Sequence, residues 1–458
     1  MTDWTERAGQ SVLYVRDMNI MFISLGCDKN LVDSERMLGK LKKTGARFTD
    51  DETKADVIII NTCCFIDDAK EESIEQILRA AQLKKNGSLK GLVVCGCMAA
   101  RYRDEITKEI PEVDAILGPS SADLIADALD CIAGGASFSN VKDADIDPVF
   151  DEERMLSSPG PSGYLKIAEG CDKHCTYCVI PSIRGRYRSY PMEELLRQAH
   201  SMARAGVKEL ILVAQETTLY GTDLYGKKSL HILLRNLSEI EGIEWIRLLY
   251  CYPEETYDDL IHEIRDNKKV CRYLDMPVQH ASDDILRRMN RKTDGAKLSE
   301  IIERLRCEIP DIVLRTTLIS GFPGESERDH RILLDFVRKE KFDRLGVFAY
   351  SREEGTPAAQ MPDQVDEAVK EKRRDEIMLA QQDIAFEKAR EKEGTVCEAL
   401  IEGYLPDDLV YVGRTRADAP DIDGVIFVES ERELMTGDIV SVMVTGANGY
   451  DLTGRILD

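Results

Sequence analysis

A chain of 458 residues exceeds one ordinary hydrophobic core, so its length predicts roughly two to four domains. Its formal charge of −23 disfavours broad, sequence-independent binding to nucleic acid, which requires a basic surface. No apolar run approaches the ~20 residues of a membrane span, and residues 1–17 carry no apolar leader, which together predict a cytoplasmic protein.

The segment 19–133 alternates between strand-like and helix-like patterns. The predicted strands are Ile20–Leu25, Asp56–Asn61 and Leu92–Cys95, and the predicted helices are Asn30–Thr44, Ile66–Ala81 and Ala99–Glu109. A βαβ series of this kind predicts an open parallel sheet. The following stretch, 134–163, is rich in Gly, Ser and Pro without a helical or strand period, and is predicted to be a linker.

The segment 164–393 repeats the alternation over six strand–helix units. The predicted strands are Tyr164–Ala168, Glu209–Val213, Trp245–Tyr250, Tyr273–Pro277, Val313–Ile319 and Leu345–Tyr350. Six such units predict a partial (β/α)6 barrel of the TIM type, with working residues just after the strands. The last segment, 394–458, has short strand patterns with glycine turns and predicts a small β-barrel. The predicted fold class is therefore α/β, with a small β-barrel at the C-terminus.

Cys171, Cys175 and Cys178 form a C-x3-C-x2-C motif directly after the first predicted strand of the central barrel. Three thiolates on one short loop can bind three irons of a [4Fe–4S] cluster and leave the fourth iron open. The alternative is a structural zinc site that includes His174. Zinc sites usually draw two ligand pairs from separate segments, so the spacing favours the cluster.

A second set of three cysteines follows three consecutive predicted strands of the N-terminal sheet: Cys27, Cys63 and Cys97. Because the carboxyl ends of parallel strands form one edge, these side chains are expected to meet and hold a second cluster with an open iron. The alternative is that they are small buried apolar residues. That interpretation fits the other seven cysteines better: Cys64, Cys95, Cys131, Cys251, Cys271, Cys307 and Cys397.

These motifs resemble the radical S-adenosylmethionine superfamily and, within it, the methylthiotransferase family. The family motifs are Ser24-Leu-Gly-Cys27 followed by Asn30-x2-Asp33-Ser-Glu35, Asn61-Thr-Cys63, Gly96-Cys97, Tyr273-Leu-Asp-Met-Pro-Val-Gln279-His280-Ala-Ser282 and Tyr350-Ser-Arg-Glu-Glu-Gly355-Thr-Pro357. The resemblance covers about 19–458 and implies a cluster domain (19–133), a radical domain (164–393) and a TRAM domain (394–458). It implies two [4Fe–4S] clusters and S-adenosylmethionine, which one electron cleaves to a 5′-deoxyadenosyl radical. The methylthio group would pass from the auxiliary cluster to a substrate carbon.

The resemblance also implies roles for single residues. The auxiliary cluster would be bound by Cys27, Cys63 and Cys97, and the radical cluster by Cys171, Cys175 and Cys178. The residues expected to contact S-adenosylmethionine are Tyr177, Gln215, Glu216, Gln279, Arg315, Gly321, Glu325 and Tyr350, with Arg315 at its carboxylate. Glu216 and Tyr190 depart from the family pattern, which has Asp and Arg there, and this leaves the detailed ligand contacts open.

Family members modify either an aspartate of a ribosomal protein or a hypermodified adenosine in transfer RNA. Residues 394–458 contain thirteen Asp and Glu, four Arg and no Lys, a formal charge of −9 that would repel phosphate and attract a basic protein. The acidic loop Gly413–Gly424 also resembles the protein-modifying branch, so Asp418, Asp421 and Asp423 are predicted to contact the substrate. The expected target is the β-carbon of an aspartate in small-subunit ribosomal protein number twelve.

Two other functions stay open at this point, namely modification of transfer RNA and a non-enzymatic metal-binding module. The first would require a basic C-terminal domain, and the second would leave the open iron of each cluster without a purpose. The resemblance also implies an electron donor such as flavodoxin or ferredoxin, and the enzyme is expected to be a monomer without a membrane or nucleic-acid partner.

Overall fold

A computed structural model describes residue 16 and residues 18–146, 154–157 and 160–457. The chain divides into two compact units. The first unit comprises Met1–Ser157, Glu169–Lys173 and Val179–Arg188, and the second comprises Ser158–Ala168, His174–Cys178 and Ser189–Asp458. Within the described ranges, no helix combines the length and the apolar character needed to cross a membrane.

The first unit is built on a six-stranded parallel sheet. Its strands are β1 (Asn19–Ser24), β2 (Arg47–Phe48), β3 (Val57–Thr62), β4 (Gly91–Gly96), β5 (Ala115–Leu117) and β6 (Phe138–Asn140). They lie in the order β2-β1-β3-β4-β5-β6, which is a doubly wound arrangement. Every residue of β3 and β4 is buried, as expected for parallel strands covered on both faces.

Helices cover both faces of this sheet. They are α1 (Asp28–Thr44), α2 (Asp67–Lys85), α3 (Cys97–Arg101), α4 (Arg103–Glu109), α5 (Ile125–Ala133) and α6 (Ile180–Arg184). Alternate residues of β3 point to opposite faces, so Ile59 packs in the core with α1 and α5, whereas Ile60 packs in the core with α2 and α4. The predicted open parallel α/β sheet is confirmed.

The predicted linker 134–163 is shorter than the composition indicated. Phe138–Asn140 adds a sixth parallel strand beside Ala115–Leu117, a pairing too short to give a periodic pattern. Further along, Glu35 of α1 accepts hydrogen bonds from Arg154 Nε (2.9 Å) and the Ser157 backbone N–H (2.9 Å). Residues 147–153 and 158–159 of the predicted linker lie outside the described residues.

The second unit contains an open, six-stranded parallel sheet that matches the predicted partial barrel. Strands in this part of the chain are β7 (Ser162–Lys166), β8 (Ala168–Glu169), β9 (Arg188–Ser189), β10 (Glu209–Val213), β11 (Trp245–Leu248), β12 (Val270–Asp275), β13 (Val313–Ser320) and β14 (Arg344–Ala349). The sheet runs in the order β14-β13-β12-β11-β10-β7, so each crossover leads to the neighbouring strand.

The crossovers of this sheet are helical. Its helices are α7 (Met192–Arg204), α8 (Thr222–Tyr225), α9 (Leu230–Ser238), α10 (Asp258–Asp266), α11 (Asp283–Arg288), α12 (Gly295–Glu308), α13 (Glu327–Glu340) and α14 (Glu367–Arg390). The start of α13 is fixed by a capping box, in which Ser326 and Asp329 satisfy each other's backbone N–H groups. Tyr250 and Tyr350, predicted as the last residues of strands, instead lie beyond the strand ends: Tyr350 directly follows β14, and Tyr250 is the second residue after β11.

The C-terminal domain is a closed five-stranded β-barrel. Its strands are β15 (Val396–Leu405), β16 (Val410–Thr415), β17 (Ile426–Glu429), β18 (Ile439–Asn448) and β19 (Asp451–Ile456), in the order β15-β16-β17-β19-β18. Buried apolar side chains such as Ile401, Ile426 and Val442 fill its interior. The predicted small β-barrel is therefore confirmed.

This small barrel packs against the N-terminal ends of the central strands, a contact that we call the barrel floor. Apolar residues Leu400 and Ala419 of the small barrel share one buried core with Trp245 at the start of β11. Beside this core, the fully buried Glu209 accepts hydrogen bonds from Arg247 (2.7 Å) and Arg414 (2.6 Å). The catalytic rim of a β/α barrel lies at the other, C-terminal ends of the strands.

Candidate functional site

The three N-terminal cysteines lie at the edge of the first sheet where open α/β folds bind ligands. The strand order reverses between β1 and β3, and ligands bind outside the carboxyl ends of the strands at such a switch point. Cys27 follows β1, Cys63 follows β3, and Cys97 follows β4. The topology therefore delivers all three thiols to one edge, as predicted from the sequence.

Glycines allow the loops that carry these cysteines to touch. Gly26 has a φ of +88°, and a Cβ at this position would lie 2.6 Å from the Cβ and 2.9 Å from the Sγ of Cys63. Gly96 has a φ of +93°, and a Cβ there would lie 2.6 Å from the Thr62 carbonyl oxygen. Only glycine fits these two positions, because any side chain would separate the loops.

Burial controls the protonation of Cys63 and Cys97. Burial raises the pKa of Cys63 to about 11, and the negative charges of Cys97 and Cys27 act in the same direction. Burial also raises the pKa of Cys97. The thiols of Cys63 and Cys97 are therefore protonated at neutral pH in the absence of metal, and iron binding must displace these protons.

The donor set fits a [4Fe–4S] cluster. Cysteine thiolates are the usual ligands of such a cluster, and three of them leave one iron without a protein ligand. Across the described part of the chain, no three Cys, His, Asp or Glu side chains converge closely enough to hold one metal ion. A cubane binds each thiolate through a different iron, so its ligands are spaced more widely than those of a single ion.

The first cysteine of the central motif, Cys171, belongs to the first unit. Its backbone N–H donates a hydrogen bond to the Gly185 carbonyl at 3.1 Å, and its Sγ accepts one from the Lys173 N–H at 3.4 Å. A Cβ at the preceding Gly170 (φ +77°) would lie 2.6 Å from the same Gly185 carbonyl oxygen. The start of the motif is thus held closely against the segment that follows α6.

The other two cysteines, Cys175 and Cys178, belong to the second unit. The Cys178 N–H donates to the Cys175 carbonyl at 3.1 Å, which closes a tight turn. Residues after α11 hold this turn, because Thr176 N–H donates to the Met289 carbonyl (3.1 Å) and the Asn290 amide donates to the His174 carbonyl (2.8 Å).

An aromatic group lies at the same rim of the central barrel. The ring of Tyr177, between the two cysteines, meets Phe322 edge-on at 6.4 Å, and Phe322 meets Tyr350 at 5.4 Å. Phe322 follows Gly321, so the structure brings together Tyr177, Gly321 and Tyr350, three of the residues predicted to contact S-adenosylmethionine. Arg291, which the sequence analysis missed, has a guanidinium only 1% exposed, paired with Glu254 at 3.1 Å. Nothing in a single sequence distinguishes this arginine from a surface one.

Two rim residues adopt strained backbone conformations. Gln279 has a φ of +70° and Tyr250 a φ of +59°, a region that non-glycine residues rarely occupy. Backbone hydrogen bonds impose the conformation of Gln279, whose N–H donates to Thr317 (2.9 Å) and whose carbonyl accepts from Ile319 (2.8 Å). Such strain concentrates at ligand sites, which supports the prediction that Gln279 contacts a ligand.

The two acidic residues predicted at the rim both accept hydrogen bonds from their own loops, and Glu325 also binds Arg373 of α14 at 3.1 Å. Glu216, which is fully buried and follows Gln215 after β10, accepts from the Thr218 N–H at 3.0 Å. Glu325 accepts from the backbone N–H groups of Gly321 (2.6 Å) and Phe322 (3.2 Å). Their carboxylates therefore shape the loops that form the rim.

The structure contradicts the roles expected for Arg315, Asp418 and Asp423. Arg315 is the third residue of β13, about 16 Å from the end of that strand, and its guanidinium binds Asp275 at 2.7 Å. Asp418 binds Arg344, the first residue of β14, at 2.6 Å, and Asp423 accepts a hydrogen bond from Tyr273 at 2.7 Å. These charges compensate one another at the barrel floor, away from the barrel rim, and the side chains of Asp418 and Asp423 are buried there.

Asp421 differs from its two neighbours because it is exposed, with a φ of +65°. It is the one member of the predicted substrate-binding set that a partner protein could reach. A cleft of about 740 Å³ also opens at the floor, lined by residues that include Arg272, Lys388 and Arg416, but it contains none of the six predicted cluster cysteines.

Comparisons with known proteins match all three segments. Residues 19–118 match uncharacterized protein family UPF0004, residues 165–337 match the radical SAM superfamily, and residues 394–457 match the TRAM domain. Among solved structures, the radical S-adenosylmethionine methyltransferase TsrM from Kitasatospora setae aligns with a TM-score of 0.52. It is 13% identical and covers 82% of this chain and 79% of its own, so the likeness concerns the fold alone.

Two curated relatives are far more similar. Ribosomal protein uS12 methylthiotransferase RimO of Lachnoclostridium phytofermentans is 57% identical over 95% of this chain and 99% of its own length. The protein of the same name from Acetivibrio thermocellus is 52% identical over 95% of this chain and 98% of its own. The chain therefore belongs to the RimO family of methylthiotransferases, which confirms the family predicted from its cysteine motifs.

Proposed function

We propose that this enzyme adds a methylthio group to the β-carbon of one aspartate in ribosomal protein uS12. The observation that carries the proposal is the presence of two sets of three cysteines, each at the carboxyl ends of parallel strands. Each set leaves one iron of its cluster without a protein ligand. When bound, the two [4Fe–4S] clusters and S-adenosylmethionine supply the one-electron chemistry and the methylthio group.

The residues of the chain bind, orient and exclude water. Cys27, Cys63 and Cys97 hold the auxiliary cluster, and Cys171, Cys175 and Cys178 hold the radical cluster. The aromatic group of Tyr177, Phe322 and Tyr350 forms an apolar wall beside Cys175 and Cys178, which excludes water from a reactive species. We assign Gln215 and Gln279 to polar contacts with S-adenosylmethionine, because both follow strands at this rim.

The surface charge of the C-terminal barrel supports a basic protein as the substrate. Its exposed acidic residues, within the described range, are Glu398, Asp407, Asp408, Asp421, Glu429, Glu431, Glu433 and Asp438. Its exposed arginines in that range are Arg432 and Arg455. Such a surface attracts and steers a lysine- and arginine-rich protein, whereas it repels the phosphates of transfer RNA.

Three further features follow from this function. Cluster reduction requires a one-electron donor, for which a flavodoxin or ferredoxin is suitable. A substrate that is part of the ribosome places the reaction in the cytoplasm. Since each chain carries both cysteine sets, one copy is sufficient, and we propose a monomer.

Mass spectrometry of uS12 from cells with and without the gene tests the proposal. A mass gain of one methylthio group on an aspartate-containing peptide, present only with the gene, is the expected result. An unmodified peptide in both strains would refute the assigned substrate. In that case, loss of a methylthio-adenosine from transfer RNA in the deletion strain would support the nucleic-acid alternative.

A further inference from the structure

Arg184 is a buried cation at the auxiliary cysteine site. It is the last residue of α6, six positions after Cys178, and it is only 2% exposed. A guanidinium stays charged even when buried, so the surrounding side chains must compensate its charge. The function proposed above gives Arg184 no role.

The guanidinium of Arg184 binds both carboxylates and a cysteine. Its Nη1 donates to Asp33 Oδ2 at 2.6 Å and lies 3.3 Å from Glu169 Oε2. Its Nη2 donates to Asn30 Oδ1 at 3.2 Å and to Cys97 Sγ at 3.4 Å. Both arms of the side chain are therefore held in place, and one of them is directed at a sulfur that we assign to the auxiliary cluster.

The residue after Arg184 contacts the other cysteine motif. The Gly185 carbonyl accepts the hydrogen bond from the Cys171 N–H at 3.1 Å. Two consecutive residues of the first unit thus contact Cys97 of the auxiliary set and Cys171 of the radical set. Displacement of Arg184 would therefore be transmitted to both motifs.

Arg184 contributes a positive charge to surroundings of Cys97 that are otherwise rich in negative charge. When the three cysteines are ionised, Cys27, Cys63 and Cys97 add three negative charges to those of Asp33 and Glu169, which lie in the same unit. Arg184 is a cation that donates directly to one of these sulfurs, Cys97 Sγ. Hydrogen bonds to cluster sulfurs and the net charge around them are main determinants of the reduction potential of an iron–sulfur cluster.

We propose that Arg184 is a positioning residue that binds the Cys97 thiolate through Nη2 and raises the reduction potential of the auxiliary cluster. Reduction adds a negative charge to the cluster, and a cation 3.4 Å from a ligand sulfur stabilises the reduced form more than the oxidised form. The proposal rests on the assignment of Cys27, Cys63 and Cys97 to an auxiliary cluster, but it is independent of which substrate the enzyme modifies.

The test is the midpoint potential of the auxiliary cluster in Arg184→Gln, measured by electron paramagnetic resonance during a reductive titration of the reconstituted full chain. Repeating the titration in a Cys175→Ala background removes the contribution of the radical cluster. We expect the ratio of reduced to oxidised cluster at a fixed potential to fall at least tenfold, which for one electron is about 59 mV. Arg186→Gln is the matched control, since Arg186 is exposed on the same segment and the net charge change is identical.

Arg184→Gln leaves two buried carboxylates without their cation and could misfold for that reason. A second variant is therefore measured as well. Asp33→Asn keeps the shape of the side chain and removes one carboxylate that shares Arg184, so the potential should shift in the opposite, positive direction. Unchanged potentials in both variants, or an equal shift in Arg186→Gln, would overturn the proposal. Failure of the uS12 experiment with a shifted potential here would refute the substrate and leave the role of Arg184 intact.

Discussion

Replacing Gly26 with alanine should remove the auxiliary cluster without unfolding the protein. At a φ of +88° the new side chain costs roughly 1–2 kcal/mol in the backbone alone. Its Cβ would lie 2.6 Å from the Cβ of Cys63, whereas carbon atoms prefer a separation of about 3.5–4.0 Å. Cys63 must therefore move by roughly 1 Å, a displacement large enough to disable a preorganised site.

The assay is iron and sulfide analysis after anaerobic reconstitution. We expect the wild type to bind close to eight irons per chain and Gly26→Ala to bind about four, because only one of two [4Fe–4S] clusters is lost. The variant should still cleave S-adenosylmethionine, since the central cysteines are unchanged, but it should not transfer a methylthio group.

Gly87→Ala provides the matched control. Gly87 also has a positive φ, +76°, but no atom lies within 4 Å of its added Cβ. This variant bears the backbone cost without the collision and should keep its full iron content. Equal iron content in Gly26→Ala and the wild type would refute the reasoning, because Cys63 would then not be a ligand in the observed position.

Cys175→Ala should abolish S-adenosylmethionine cleavage, measured as 5′-deoxyadenosine, whereas Cys63→Ala should retain cleavage and lose methylthio transfer to uS12; normal transfer by the Cys63 variant would contradict the auxiliary assignment. Glu209→Gln should lower the free energy of unfolding by about 3–5 kcal/mol in denaturant titrations, because it leaves buried arginines uncompensated. Burial disfavours the ionised Glu209 carboxylate, but its arginine partners outweigh this effect and lower its pKa from 4.5 to about 2. The stabilisation that Glu209 contributes is therefore fully present above pH 4.5 and is lost as the pH falls towards 2. An unfolding midpoint that does not change across this pH range would argue against this contribution. Asp421→Asn should weaken uS12 binding without altering the thermal unfolding midpoint, whereas Asp423→Asn should lower the thermal unfolding midpoint. Binding titrations measure the first effect, and calorimetry measures the second.

The strand–helix order, and the position of Cys27, Cys63 and Cys97 at one edge of the sheet, were predictable from sequence because both depend on local patterns. A buried parallel strand gives an apolar run, and a cysteine placed just after it must lie at the carboxyl edge of the sheet. The strand Phe138–Asn140 was not predictable, since three residues give no period. Its composition favoured a linker, and only its pairing with Ala115–Leu117 makes it a strand.

Charged residues at the barrel floor were the main failure of the sequence analysis. The expectation that Arg315 needs a carboxylate was correct, but that carboxylate belongs to Asp275, 40 positions away, rather than to a cofactor. Asp423 meets Tyr273 across 150 positions, a pairing that no local pattern encodes. Arg184 was missed for the same reason, because a buried arginine and an exposed one look identical in a single sequence.

The ion pairs at the barrel floor limit how this family can be re-engineered. Transplanting a C-terminal domain from a branch with another substrate would remove Arg414 and Asp418 from their partners Glu209 and Arg344. Each missing partner would leave an unpaired buried charge in the chimera, and the chimera would be less stable than the natural protein. The C-terminal domain is therefore not a detachable module, and a domain exchange must carry both residues of each ion pair.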